Sequence, residues 1–242
     1  MTRLSKQGIL NLPLATKPTS CKTCGMDFYS YVGKDASVHA RYHDVFVNGP
    51  KCDLDADTNL HCNRLRVSLG RSSVECSVYC VDKKNFRLVR KIETLLETVN
   101  RALNAPPENA AWKEISESGS AGYAFAAVLN RRIVGLCVTE PITDIQKQTR
   151  WVVDRTQAVV PGQVNNRCKV GISRIWVAAK WRRHGIAQLL LETVQRALVY
   201  GMTLQKHEIA FSQPSHAGGK LARQFNGLCH KSGEILVPIY LE

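Results

Sequence analysis

A basic turn between a β-rich segment and a helical segment has the clearest binding chemistry in this sequence. Residues 171–178 combine β-rich composition with alternating apolar positions, which predicts a strand. Residues 182–187 read Arg-Arg-His-Gly-Ile-Ala, and apolar residues at helical spacing follow as far as Leu198. The first N–H groups of a helix have no partner within it, and the helix dipole is positive there. The sequence therefore predicts a phosphate-binding turn, with an ordinary basic loop as the alternative.

Two cysteines and two histidines near the start of the chain have the spacing of zinc ligands. Two residues separate Cys21 from Cys24, and three separate His39 from His43. Thiolate and imidazole are the donors that zinc takes in a tetrahedral site, and the i, i+4 spacing puts both imidazoles on one helical face. The pattern predicts a C2H2 zinc finger over residues 19–48. Because DNA-reading fingers come in tandem arrays, a lone finger favours a structural or partner-docking role.

Composition limits the classes of protein to consider. The chain has 242 residues, a formal net charge of +13 and 9 cysteines. This length can bury one substantial core plus a small appendage. The charge favours acidic partners such as DNA or chromatin, although a solvated basic surface without a ligand is the plain alternative. An odd number of scattered cysteines argues against a secreted disulfide framework, and we find no signal-peptide or membrane-span pattern. We expect an intracellular location and no membrane partner.

The elements that must position the turn follow from apolar periodicity and turn residues. The predicted strands are 74–81, 122–129, 133–139, 171–178, 208–212 and 235–241, and the predicted helices are 86–104, the segment after 185, and 218–225. Residues 49–73 are interpreted as a connector, and residues 140–170 as a polar, irregular insertion in a domain that spans 74–242. This order indicates an α+β domain in which helices flank a mixed sheet.

Several segments resemble known acetyltransferases. Arg182-x-x-Gly185-x-Ala187 resembles the R/Q-x-x-G-x-G/A signature of GCN5-related N-acetyltransferases, in which the turn holds the pyrophosphate of acetyl-CoA. The segments GISRIWV, RRHGIAQ and IAFSQPSHAGGKLA resemble the Eco/ESCO family of cohesin acetyltransferases, and the resemblance extends from Cys21 to the C-terminus. It implies a GCN5-related N-acetyltransferase fold preceded by a C2H2 finger. It also implies a nuclear enzyme that moves acetyl groups from acetyl-CoA to lysines of the cohesin SMC head, establishing sister-chromatid cohesion during DNA replication.

The resemblance also implies which residues contact acetyl-CoA. The strand residues implied beside the pantetheine arm are Ile175, Trp176 and Val177. The turn residues implied around the pyrophosphate are Arg182, Arg183, His184, Gly185, Ile186, Ala187 and Gln188. A third contact is implied at Ser215, His216 and Ala217. Core packing is the alternative role for the Trp176 side chain, and it is compatible with a backbone contact.

Transfer to a lysine requires that the amine lose a proton, that the tetrahedral oxyanion be stabilised and that the thiolate leave. Direct transfer needs no covalent cysteine, so Cys137 and Cys229 are interpreted as structural. The family's catalytic candidates are a serine in GISR, a glutamate in the following helix and an aspartate in FSDP. In this sequence they correspond to Ser173, Glu192 and Gln213. Gln213 departs from the family pattern because an amide cannot act as a base, and Glu192 has a surface ion pair as its alternative role.

The N-terminal segment and the rival functions complete the sequence-based predictions. Residues 1–18 are interpreted as a flexible tail, in which Gln7-Gly8-Ile9-Leu10 fits the first half of a degenerate PCNA-binding box. The family resemblance implies PCNA as a partner through this segment.

One rival function is a zinc-finger DNA- or chromatin-binding adaptor with a degenerate acetyltransferase fold, which would bind DNA with a steep salt dependence. A small-molecule N-acetyltransferase would explain the turn but not the finger.

Overall fold

The computed structural model describes residues 17–52, 61–69, 72–106, 112, 122–199, 201–212 and 214–241. The chain divides into two compact units, Met1–His43 and Asp44–Glu242. Helix α1 spans Gly33–Asn48, so its last residues belong to the second unit. The predicted PCNA-binding box lies outside the described residues.

Four more α-helices, two short 3₁₀ helices (Ala179–Trp181 and Lys206–Glu208) and twelve strands make up the regular structure of the described residues. The helices are α2 (Phe86–Leu103), α3 (Ile145–Gln148), α4 (Ile186–Ala197) and α5 (His216–Asn226). The strands are β1 (Thr19–Ser20), β2 (Asp27–Phe28), β3 (His61–Leu69), β4 (Ser72–Cys80), β5 (Tyr123–Leu129), β6 (Arg132–Pro141), β7 (Thr149–Val153), β8 (Ala158–Val159), β9 (Val170–Val177), β10 (Ile209–Phe211), β11 (Leu228–Cys229) and β12 (Ile235–Tyr240).

The first unit has the secondary structure of a zinc finger. β1 and β2 form an antiparallel hairpin, and the turn between them carries both cysteines. Gly25 occupies this turn with a φ of 71°, and its N–H donates to the Cys21 carbonyl at 2.8 Å. The histidines follow on α1, where a spacing of four residues puts them on one face. The finger predicted from the sequence is confirmed.

The second unit is built on a mixed sheet. The strand order is β3-β4-β5-β6-β9-β10-β12-β7-β8, and β11 pairs with β12. The β9–β10 and β10–β12 pairs are parallel, and the other pairs are antiparallel. In β5 and β6 nearly all consecutive residues are buried. Since consecutive side chains point to opposite faces, both faces of the sheet centre are covered. The predicted α+β class with a mixed sheet is confirmed.

The long helices form because apolar side chains recur at helical spacing. In α2 the apolar face buries Leu88, Ile92, Leu95, Leu96 and Val99. Burying a large apolar side chain contributes about 1.5–3 kcal/mol to the free energy of folding. A face of several such side chains therefore holds the helix in the fold. The Asn85 side chain caps α2 by accepting from the Leu88 N–H at 3.1 Å. Across the described residues, none of the helices has the length and hydropathy required to traverse a membrane.

The connector interpretation is wrong for residues 61–69, which form β3. This strand pairs antiparallel with β4 over its whole length, from Leu69↔Ser72 back to His61↔Tyr79. Leu65 and Val67 face inward and alternate with exposed arginines at 64 and 66. This alternation was the available signal, and it covers too few residues to stand out from a polar stretch. The second unit accordingly starts at residue 44 rather than 74.

The prediction of an irregular insertion over residues 140–170 is also wrong. This stretch holds the end of β6, α3, β7 and β8. β7 pairs with β12 from Thr149↔Tyr240 to Val153↔Leu236, and therefore extends the sheet. A pairing with a strand from the far end of the chain is invisible to a local pattern, because it depends on where the fold brings the two segments.

Candidate active site

The parallel strands β9 and β10 separate partway along β9. Their last pair is Phe211↔Ile172, after which the Ser212 N–H donates to the Ile172 carbonyl at 3.0 Å. β10 ends there, whereas β9 continues to Val177. Beyond the last pair, this side of β9 has no strand neighbour among the described residues. Its backbone groups can therefore hydrogen-bond a bound molecule.

A β-bulge in β9 lies at the point of separation. Arg174 lies opposite Val138 and Ile172 lies opposite Thr139, which leaves Ser173 as the extra residue. The Ser173 hydroxyl donates to the Val138 carbonyl at 3.3 Å, and the side chain is buried. Bulges bend a strand and redirect its side chains, often beside active sites. The predicted catalytic serine thus lies where the strands part, with its hydroxyl directed to β6.

A cleft of about 380 Å³ opens at this separation, between β9, β10, the end of α2 and the start of α5. Three of the predicted site residues line it, namely Ser173, Ile175 and Ser215. Among the described lining residues, Arg174 is the one charged side chain, and none is a carboxylate. The described walls of the cleft therefore supply hydrogen-bonding and apolar surface but no side chain that would act as a base.

Arg174 links β9 to α2 at the cleft through hydrogen bonds. Its side chain is buried, with Nε donating to Asn100 Oδ1 at 3.0 Å and Nη1 donating to the Ser173 carbonyl at 2.7 Å. The Ser212 hydroxyl donates to the same carbonyl at 3.0 Å. Asn100 lies on α2, close to the helix end that lines the cleft. Since a buried charge is stable only when it is hydrogen-bonded, these contacts fix the guanidinium and, through it, the bulge.

The predicted phosphate turn lies at the N-terminus of α4. Gly185 is the N-cap residue with a φ of 81°, and no side chain caps the helix. By contrast, Asn85 caps α2 and Ser215 caps α5. The first N–H groups of α4 are therefore not used by a cap and are suited to an anion. Arg183 also has a positive φ of 68°, a conformation that costs a non-glycine residue on the order of 1–3 kcal/mol.

The three polar side chains of the turn have different surroundings. Arg182 Nε donates to the Val177 carbonyl at 3.0 Å, and its guanidinium lies 5.2 Å from the Phe46 ring centroid. Desolvation lowers the pKa of Arg182, but an arginine remains cationic at neutral pH. His184 Nδ1 lies 2.9 Å from the Arg182 carbonyl. Arg183 is exposed, so it is the turn residue best placed to meet a phosphate group from solvent.

The other residues predicted to contact acetyl-CoA lie in the hydrophobic core or in the first turns of α4 and α5. Trp176 and Ile186 are buried in the hydrophobic core, so only their backbone groups could meet a ligand. Ser215 accepts from the Gly218 N–H at 3.3 Å, and His216 starts α5. The predicted loop at 215–217 is therefore the N-terminal turn of α5, which begins two residues earlier than the sequence indicated. Ala187, Gln188 and Ala217 occupy the first turns of α4 and α5.

The two remaining catalytic candidates lie apart from Ser173. Glu192 is half-buried on α4 and accepts from Gln188 Nε2 at 2.9 Å. It is not among the described residues that line the cleft. Gln213 lies outside the described residues. The structure thus groups Ser173, Ile175 and Ser215 at the cleft, and residues 182–188 around the start of α4.

Sequence reasoning missed Arg174, Asn100 and Ser212 as residues of the site. Arg174 had a visible signal, because a charged residue within an otherwise apolar strand must be exposed or specifically paired. Asn100 falls on the apolar side of an amphipathic helix and is 5% exposed. The polar residues Arg174 and Asn100 in apolar patterns each pointed to a buried partner, but only the fold shows that they bond to each other and that Ser212 and Arg174 share the Ser173 carbonyl.

The metal centre of the finger is built from the four predicted ligands. Donor atoms of Cys21, Cys24, His39 and His43 all lie within 4.8 Å of one another. Hydrogen bonding from the Cys24 backbone lowers the pKa of the Cys21 thiol to about 5, which favours the thiolate that zinc requires. The Phe28 ring stacks on the His39 imidazole at 3.8 Å between centroids. The donor set and its convergence fit a tetrahedral zinc ion.

Burial argues against a covalent cysteine nucleophile in the core. Burial raises the pKa of the Cys137 thiol, and it raises that of Cys76 to about 12. The nucleophilic form of cysteine is the thiolate, which such surroundings disfavour. This agrees with the structural role expected for Cys137.

The fold that carries this site is that of the GCN5-related N-acetyltransferase class. The structure of the xEco2 acetyltransferase domain bound to a CoA conjugate shares this fold with a TM-score of 0.53 and 24% identity, covering 69% of this chain and 95% of that one. A second structure of the same domain gives a TM-score of 0.50 and 22% identity, covering 67% and 91%. The expected GCN5-related fold is confirmed.

The chain belongs to the ECO1/ESCO family of N-acetyltransferases. It is 44% identical to N-acetyltransferase ECO1 of Debaryomyces hansenii over 98% of this chain and 88% of that protein. Its identity to the ECO1 proteins of Kluyveromyces lactis and Saccharomyces cerevisiae is 32% and 31%, covering 99% and 98% of this chain and 97% and 94% of those proteins. The profile "ESCO1/2 acetyl-transferase" matches residues 166–235, and "zinc-finger of acetyl-transferase ESCO" matches residues 7–45. The predicted acetyl-CoA-dependent acetyltransferase with a zinc finger is confirmed.

Proposed function

We propose that this enzyme acetylates lysine side chains on the head of a cohesin SMC subunit and thereby establishes sister-chromatid cohesion in the nucleus during DNA replication. The cleft at the β9–β10 separation is the observation that carries the proposal. It has a backbone edge for an extended donor and a mouth formed by α2 and α5, and the uncapped N-terminus of α4 lies in the same unit. Membership of the ECO1/ESCO family supports a protein lysine as the acceptor.

The chain's own groups account for donor binding. In this proposal the pyrophosphate of acetyl-CoA lies at the first N–H groups of α4, where the helix dipole and Arg183 favour negative charge. The pantetheine arm lies along Ile175–Val177, whose backbone faces no neighbouring strand on that side among the described residues. The thioester then reaches the bulge at Ser173, because an extended arm follows the direction of β9.

The reaction at the bulge is direct acyl transfer. The neutral lysine nitrogen attacks the thioester carbonyl carbon, a C–N bond forms, and the C–S bond breaks so that CoA leaves as a thiolate. The amine proton passes to a base and the thiolate later takes a proton from water. Arg174 places a fixed cation at the cleft, which favours the neutral form of the incoming amine over its protonated form.

We assign the base to Glu192, acting through water. No carboxylate is found among the described lining residues, and the Glu192 carboxylate is held by Gln188 on the helix that also carries the donor site. Ser173 and Gln213 are assigned to orient the acceptor amine or the water, since neither side chain can take up the proton at neutral pH.

The acceptor is tested by incubating the zinc-loaded enzyme with acetyl-CoA and recombinant cohesin SMC head. Mass spectrometry should show acetylated lysines in the head and at most trace acetylation of an unrelated lysine-rich protein. A small polyamine serves as a second acceptor. Acetylation of the polyamine but not of the head would contradict the proposed substrate and favour a small-molecule enzyme.

Two further partners belong to the same proposal. PCNA is proposed to bind the segment Gln7–Leu10, which fits half of a PCNA-binding box. Proximity to chromatin is supported by the net charge of +13. A pull-down of PCNA with the wild-type chain and with a Gln7→Ala, Leu10→Ala variant tests the first partner, and equal capture by both would contradict it.

A further inference from the structure

The segment that follows the metal-binding histidines packs against the start of β6. Arg132 Nη1 contacts Asp44 Oδ2 at 3.1 Å and donates to the Gly49 carbonyl at 2.6 Å. The Ile133 N–H donates to the Pro50 carbonyl at 3.0 Å. All these residues lie in the second unit. The segment 44–50 is therefore fastened to the sheet by charged and backbone hydrogen bonds, not only by apolar contact.

Gly49 determines how closely this segment approaches β6. Its φ is 81°, and a Cβ added there would lie 2.0 Å from the Ile133 carbonyl oxygen. Any other residue would push the segment away, because backbone atoms cannot yield at that distance. The position of Phe46, one helical turn earlier, is set by this close packing.

The Phe46 ring contacts Arg182, the first residue of the predicted phosphate turn. It is 8% exposed, and the Arg182 guanidinium lies 5.2 Å from its ring centroid. The same guanidinium donates from Nε to the Val177 carbonyl at 3.0 Å. Arg182 is thus held between an aromatic ring and the end of β9, and a cation over an aromatic face is attracted to it. An arginine held at two points cannot swing freely with the turn that it begins.

The turn needs such support. Arg183 and Gly185 both have positive φ values, and for a non-glycine residue that conformation persists only where the surroundings impose it. Within the turn, His184 bonds to the Arg182 carbonyl, so the geometry of Arg182 is passed to the residues that follow. The N–H groups at the start of α4 are oriented by this geometry.

We infer that Phe46 is a positioning residue for the acetyl donor: its ring holds Arg182 so that the turn presents its N–H groups to the pyrophosphate. This inference rests on the proposed location of acetyl-CoA at the N-terminus of α4. It assigns a role in donor binding to a residue outside both the catalytic motifs and the zinc ligands. Loss of the ring face should weaken donor binding while leaving the acyl-transfer geometry at Ser173 in place.

The test measures acetyl-CoA affinity by calorimetry on the full, zinc-loaded chain. Phe46→Leu keeps an apolar side chain but removes the ring face, and we expect Kd to rise about 5- to 20-fold. KM for acetyl-CoA should rise by a similar factor, whereas kcat at saturating donor should fall less than about twofold. Phe46→Tyr retains the ring face and should bind within about twofold of wild type.

A matched control separates this effect from general destabilisation. Phe225 is 2% exposed, and Lys206 Nζ lies 5.5 Å from its ring centroid. Phe225→Leu therefore removes a similar buried ring and cation contact away from the turn. It should lower thermal stability without changing acetyl-CoA affinity by more than about twofold. Equal losses of affinity in both leucine variants would overturn the inference.

The remaining outcomes are also decisive. If the wild-type chain shows no saturable acetyl-CoA binding, the proposed donor site fails and the inference fails with it. If wild type binds and Phe46→Leu binds equally well, only the role of Phe46 is overturned. Should Phe46→Leu fail to fold, Arg182→Met removes the same contact from the exposed side. Unchanged Kd in that variant would overturn the inference as well.

Discussion

Replacing Gly185 with alanine tests the donor site through the backbone alone. Gly185 has a φ of 81°, and the nearest atom to an added Cβ is Leu65 Cδ2 at 3.4 Å, an ordinary contact. The cost of the substitution is therefore conformational, about 1–2 kcal/mol for a left-handed alanine. Because Arg183 and Gly185 are exposed, little packing holds the part of the turn that follows Arg182. We expect the free variant to relax and to recover the left-handed form only on binding.

This reasoning gives a measurable shift in affinity. If the conformational cost appears on binding, Kd for acetyl-CoA rises about 5- to 30-fold, since about 1.4 kcal/mol corresponds to a factor of ten. If part of the cost appears instead as strain in the free protein, the free energy of unfolding falls by that part. Calorimetry with acetyl-CoA and urea unfolding on the same samples measure both quantities. A Gly185→Ala protein that matches wild type in both would refute the role given to this backbone.

A matched glycine supplies the control. Gly233 has a φ of 84°, and no atom lies within 4 Å of an added Cβ. It lies in the turn between β11 and β12, outside the described lining of the cleft. Gly233→Ala should therefore lose about 1 kcal/mol of unfolding free energy and retain wild-type affinity for acetyl-CoA. A comparable rise in Kd in this variant would show that the effect is not local to the donor turn.

Three other perturbations follow from the site. Arg174→Met removes the hydrogen bonds to Asn100 and to the bulge, so kcat should fall at least tenfold while acetyl-CoA affinity stays within threefold of wild type. Arg174→Lys should recover part of kcat. Unchanged kcat in Arg174→Met would contradict the role of Arg174 in holding the bulge. Glu192→Gln should lower kcat about tenfold and leave acetyl-CoA affinity unchanged, because an amide cannot accept the amine proton; unchanged kcat would exclude Glu192 as the base. Cys24→Ser should release zinc, as measured by elemental analysis, and retention of stoichiometric zinc would contradict the four-ligand site.

Local patterns predicted the parts of this protein that depend on residues close together in the chain. The spacing of Cys21, Cys24, His39 and His43 predicted a metal site because a hairpin turn and one helical face bring such ligands together. The apolar periodicity of residues 86–104 predicted α2 almost to the residue. The glycine at 185 before a helical run predicted the turn that begins α4.

The errors lie where distant segments decide the structure. The strand at 61–69 is a strand because β4 lies beside it, and β7 joins the sheet because β12 returns from the C-terminal end. Neither segment has an apolar pattern strong enough to specify a strand without its partner. Pairing partners far apart in the chain are chosen by the whole fold, so single-segment reasoning misses them.

The amino-acid sequence by itself predicted the metal ligands, the turn that begins α4 and the family resemblance, because each depends on a few residues at short spacing. Only the tertiary structure decided where a cleft for the proposed chemistry lies. The cleft exists because β10 stops at Phe211 while β9 continues, and Arg174 enters the site because α2 brings Asn100 to it. Such juxtapositions come from packing that buries apolar surface across the chain, and the energy of that packing belongs to no single segment.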